Sequence, residues 1–122
     1  MKDKFGYSLS DWDKAKKEMK SILVERAKQQ DPIAYSELTA QVHAIRFAPQ
    51  SPIFAHMLGE VSKEEDDAGR GMLTALVVHK HGEMKPGPGF FELAKSLGKD
   101  VTDIDGCWIQ EIKKAYDYWS KH

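Results

Sequence analysis

His79-Lys80-His81 places two imidazoles one residue apart. In an extended chain alternate side chains share a face, so both rings could ligate one metal ion. His56, Glu60 and Glu64 recur every fourth residue, and on a helix they would share a face where His and Glu one turn apart can ligate together. Neither spacing is a specific motif. HExxH, CxxC and the PD-(D/E)xK nuclease pattern are all absent. A small metal-dependent enzyme of the hydrolase or nuclease type, using His56, Glu60, His79 and His81, is therefore the alternative reading. The leading one assigns no catalytic residue, no metal ligand and no cofactor.

That leading reading is a binding surface. Gln50 and Ser51 stand at the start of an expected helix, with Arg46 just before and His56 one turn in. Glutamine can read adenine, serine can bond phosphate, and a helix N-terminus favours an anion. His79, Lys80, His81 and Lys85 form a basic hairpin suited to a phosphate backbone. Glu60, Glu64, Glu65, Asp66 and Asp67 follow on the same helix as a solvated acidic stretch, which weakens attraction to a polyanion. The ligand is thus either duplex DNA or a protein partner. Two further features read as structural. Cys107 sits beside Gly106 and Trp108 as a buried small hydrophobe. Pro86-Gly87-Pro88-Gly89 lacks the Gly-Lys-Ser/Thr of a phosphate loop and places Phe90 and Phe91 toward a core.

These groups must be held by the rest of a 122-residue chain, a length that fits one domain over 1–122. Hydrophobic residues at 41% and charged residues at 30% describe a globular protein able to bury its own core. The formal charge of −1 provides no global pull toward nucleic acid or an anionic membrane. One cysteine permits no internal disulfide, and no run approaches the ~20 apolar residues that span a bilayer. The expected setting is cytoplasmic, with no membrane partner.

Ser10 reads as the cap of a first helix over about 10–29, with Trp12, Ala15, Met19, Ile22 and Leu23 on its apolar face and Asp31-Pro32 as its stop. Ile33-Ala34-Tyr35 reads as an edge strand or extended turn. Ser36 caps a second helix carrying Leu38, Val42 and Ile45. Ser51-Pro52 starts a third, with Ile53, Met57, Leu58 and Val61 inward. Met72 to His79 reads as a buried strand, His81 to Gly89 as a loop, and Phe90 to Leu97 as a short helix capped by Gly98. A last helix, preceded by Thr102 or Asp105, carries Trp108, Ile112, Ala115, Tyr116 and Trp119. Trp119 is its candidate for a homodimer contact.

The expected fold is α+β and mostly helical, a winged-helix-like core with additional N- and C-terminal helices. Tyr35-Ser36-Glu37-Leu38-Thr39, followed by Leu76-Val77-Val78 and then Gly82, resembles the C-terminal winged-helix domain of the alkyltransferase-like DNA-repair proteins. The resemblance spans about residues 33–90 and implies the fold. Leu73-Thr74-Ala75-Leu76 stands where that family carries its Pro-Cys-His-Arg nucleophile motif, so alkyl transfer is not implied.

Overall fold

Helix α1 (Leu9–Gln29) is the spine of the molecule. A computed structural model describes residues 3–79 and 84–122 of the chain. Trp12, Ala15, Met19, Leu23 and Ala27 recur along one stripe of α1, and all are buried. The cap is Ser8 rather than Ser10: its hydroxyl accepts from the Asp11 N–H at 3.1 Å. Before it, β1 (Asp3–Lys4) and β2 (Tyr7–Ser8) form an antiparallel hairpin that periodicity did not reveal. Two residues are too few for a pattern, and the turn signal is only Phe5-Gly6, both at positive φ (55° and 85°).

Helix α1 ends where Gln30 turns left-handed and Arg26 donates to Asp31 and to the Pro32 carbonyl. Strand β3 (Ile33–Ala34) leads directly into α2 (Tyr35–Gln41). The expected Ser36 cap is not used. The Glu37 carboxylate accepts from the Ala34 N–H at 3.1 Å, so the start lies two residues earlier. Helix α2 also stops sooner than expected. Val42 and Ile45 are buried, but from an irregular segment. Glu18 on α1 explains that break, because its carboxylate accepts from the His43 and Ala44 N–H groups at 2.8 Å each. These two bonds hold the Glu18 carboxyl below the usual range, His43 first.

Helix α3 (Pro52–Asp67) begins where expected, with the Ser51 hydroxyl accepting from Ile53 and Phe54 N–H. Its acidic end is not wholly solvated. Glu65 is fully buried, held by Arg70 and by Lys20 at 3.4 Å. Met72 to His79 is buried through Val78, but it is not one strand. Leu73–Leu76 forms a 3-10 turn, and only Val77–Val78 (β4) is extended, paired in parallel with β3. The short β3 cannot satisfy a longer neighbour. The backbone of 72–76 is paired elsewhere: Met72 N–H to Glu111, Thr74 N–H to Ser62, Ala75 N–H to Met72, and the Ala75 carbonyl to the Trp108 indole at 2.8 Å.

Helix α4 (Pro88–Ser96) starts two residues before Phe90, using Pro88 at its first turn. Helix α5 (Ile104–Ser120) is capped by Asp103, not by Thr102 or Asp105, and packs Cys107, Ile112 and Ala115 inward. Gly71 permits that packing. A Cβ there would lie 2.7 Å from Lys114 Cβ and 3.2 Å from α5 backbone atoms, and its φ is +89°. The result is a mostly helical α+β arrangement in which the 3-10 turn sits centrally against α1, α3 and α5. None of the described helices is long and apolar enough to cross a membrane.

Candidate functional site

Three local decisions create a groove. Ser51-Pro52 fixes the start of α3, the β3–β4 pair fixes the junction into α2, and Pro88 fixes the start of α4. Between α3, β4 and α4 lies an open space of about 1200 Å³. Phe54, Leu58, Val77, Val78, Phe90 and Leu93 make its apolar lining, and Gln50, His56, Glu60, Lys63, His79 and Glu92 stand around them. Ala55 and Gly59, one turn apart on α3, are small and keep it open.

One wall is clasped by aromatic and backbone groups. The Tyr35 ring stacks on His79 with centroids 4.7 Å apart. Its hydroxyl accepts from the Gly87 N–H at 2.8 Å, joining the start of α2 to the cap of α4. Burial pushes the Tyr35 phenol up, against the opposing pull of that bond. A Cβ at Gly87 would stand 3.1 Å from His79 Nε2, so glycine allows this close approach. The His79 N–H donates to the Lys85 carbonyl at 2.9 Å.

The opposite wall is polar and paired. Glu60 accepts from the Trp12 indole at 2.9 Å, from Lys16 at 3.3 Å and from Lys4, and lies 3.1 Å from His56 Nε2. Burial alone would raise its pKa, but Lys4, Trp12 and Lys16 together hold it at about 2. Phe5 of the hairpin packs edge-on to His56 and tilted against Trp12. The hairpin thus buttresses this end of the groove.

The structure brings Gln50, Ser51, His56 and His79 to one groove and leaves Arg46 and Lys85 out of its lining. The Ser51 hydroxyl is engaged as the α3 cap. Arg46 donates to the Ala40 and Val42 carbonyls at 3.4 and 3.3 Å, closing the turn after α2. Lys85 lies 2.5 Å from Asp105 on α5. Lys80 and His81 lie outside the described residues. Among the described residues no three His, Cys, Asp or Glu side chains converge as a metal site. Burial pushes the Cys107 thiol up, away from the thiolate a nucleophile needs.

Tyr35 and Glu92 were not anticipated as site residues. Tyr35 sits at a strand-to-helix joint, and the resemblance that begins at it speaks to the fold and not to a site. Glu92 is one of many surface carboxylates, until α4 turns it toward α3. At the other end of α5, Arg70 lies over the Tyr118 and Trp119 rings, and the Trp119 indole N–H is buried with no hydrogen-bond partner among the described residues. Neither protein-family profiles nor characterised sequences nor solved structures match this chain.

Proposed function

We propose that this chain is a small, non-enzymatic, winged-helix-like binding module whose groove receives a segment of a partner protein. The order of elements supports the winged-helix part. A long helix, a short strand, two helices and a second strand follow one another, and just after that strand the His79 N–H bonds the Lys85 carbonyl. The likeness to the alkyltransferase-like domain runs through the same stretch. The pairing of β3 directly with β4, in parallel and over two residues only, is a departure from a full wing.

The observation that carries the binding reading is about 1200 Å³ of open groove, where exposed Ala55 and half-buried Leu93 lie over buried Phe54, Leu58 and Phe90 within a polar rim. That exceeds the roughly 300–1,000 Å³ common for small-molecule pockets and suits a stretch of polypeptide. Duplex DNA is less well served. Phosphate binding draws on cations, and the lining holds Lys63 against Glu37, Glu60 and Glu92.

Selection of a displayed random-peptide library on the purified protein tests this. Peptides are expected to enrich and to lose binding when Ala55, an exposed lining residue, becomes Trp and fills the groove. Enrichment that ignores Ala55→Trp overturns the assignment of the groove. A low-salt electrophoretic shift of duplex DNA that Ala55→Trp abolishes would instead restore DNA as the ligand.

A further inference from the structure

We infer that the exposed face of α5 pairs with the same face of a second copy of this chain, antiparallel about a two-fold axis at Ile109, so that Asp105 of each copy meets Lys113 of the other. Exposure marks the place. Among the described residues the exposed large hydrophobic side chains are Phe5, Leu9, Met84, Ile104 and Ile109. Ile104 and Ile109 both belong to α5 and are 46% and 49% exposed. Met84, 50% exposed, immediately precedes Lys85, whose ammonium lies 2.5 Å from Asp105 in the first turn of α5. Three of the five are thus drawn to the N-terminal half of one helix. Apolar side chains gathered in this way mark a contact surface, whereas single scattered ones do not. No residue of α5 lines the groove, so this surface is separate from it.

Charge identifies the occupant. Asp105, Ile109 and Lys113 stand four residues apart, are all exposed, and share one stripe of α5. The stripe reads acidic, apolar, basic at equal steps from Ile109. A two-fold axis at the middle residue reverses that order in the second copy, so opposite charges meet at both ends and Ile109 meets Ile109. A parallel copy would set like charge on like. A patch of one sign would call for a different chain, but a balanced patch that the two-fold maps onto its own complement fits itself. Lys113 has no ion-pair or hydrogen-bond partner among the described residues, unlike Lys114, which Glu111 holds at 2.9 Å. Gly106 would oppose Ile112 of the second copy, and it has no side chain to hold the helices apart. The contact centres on Ile109 rather than on Trp119, which is half-buried with Arg70 over its ring.

Sedimentation equilibrium of the full chain over rising concentration tests this. A reversible monomer–dimer equilibrium is expected, with a dissociation constant of about 1–100 μM for so small a contact. Ile109→Asp should weaken it at least roughly tenfold, because it sets two carboxylates at the axis. Lys113→Glu should weaken it about three- to fivefold at low salt, and that loss should shrink as salt rises. Ile109→Cys should form an intermolecular disulfide in oxidised glutathione, because the axis brings the two positions together. The native chain, whose one cysteine, Cys107, is buried, should not. Ile109 and Lys113 are exposed, so these variants are expected to fold, and thermal unfolding checks that. A native chain that stays monomeric to about 300 μM overturns the pairing. So does a dimer that Ile109→Asp leaves intact or that Ile109→Cys fails to trap. A dimer lost in Ile109→Asp but indifferent to Lys113→Glu overturns the antiparallel register and its Asp105–Lys113 contact.

Discussion

Helix α3 has two working faces, and they are built on opposite rules. On its α1 side, which includes the polar wall of the groove, and at its C-terminal end its polar groups are matched. Glu60 takes Lys4, Lys16 and Trp12, Glu64 takes Lys16, Glu65 takes Arg70 and Lys20, and Asp66 takes Lys99 at 2.6 Å. Toward α4 the same helix shows Ala55 and Gly59, and the space beyond them is open. A carboxylate taken from water must be compensated on the spot, so the matched face is tight and intolerant of loss. The groove side needs no such compensation, because small side chains rather than charges face the open space.

The largest effect is therefore expected on the matched face. Arg70→Ala leaves Glu65 fully buried with only Lys20 at 3.4 Å, and it also removes a cation from over the Tyr118 and Trp119 rings. A loss of about 3 kcal/mol in denaturant unfolding is expected, with peptide affinity of the folded protein unchanged. A loss under about 1 kcal/mol would mean that Lys20 and water compensate the buried carboxylate without Arg70, and the contrast between the faces would fail.

Acid should act next. The Glu60 carboxyl is held at about 2, below its ordinary value, so its contribution is complete above the unfolded glutamate pKa and is lost as pH falls through about 2. Roughly 2 kcal/mol of stability, allowing for solvent screening, should disappear between about pH 4.5 and 2. In Glu60→Gln that part of the pH profile should be flatter, and the two curves should converge at the acid end.

A smaller effect sharpens the comparison from the groove side. Tyr35→Phe keeps the stack on His79 and removes only the oxygen that accepts from Gly87 N–H. About 1 kcal/mol should be lost, together with some order at the start of α4, visible as faster amide exchange at Gly87 and Gly89. Unchanged exchange there would show that Pro88 alone positions α4.

Much of the helical framework was readable from local pattern. The apolar stripe of α1, the Ser51-Pro52 start of α3 and the Trp108-to-Ala115 stripe of α5 each lie within one element, so the sequence carries them at short range. Errors fall where a distant group intervenes. The second helix is cut short by Glu18 from α1, twenty-five and twenty-six residues away in sequence from the N–H groups it binds. The buried segment after Gly71 becomes a 3-10 turn because Glu111, Ser62 and Trp108 satisfy its backbone.

The candidate site divides in the same way. His56, Gln50, Ser51 and His79 were identifiable from residue type and helix start, and they do line one groove. Arg46 and Lys85, chosen on the same grounds, are drawn off by neighbours that no local pattern names. Periodicity, caps and proline positions decide where a helix begins and which stripe it buries, because those interactions close within a turn or two of chain. Which carboxylates are paired, and that a groove exists between α3 and α4 at all, depend on contacts between residues tens of positions apart. Only folding brings those together.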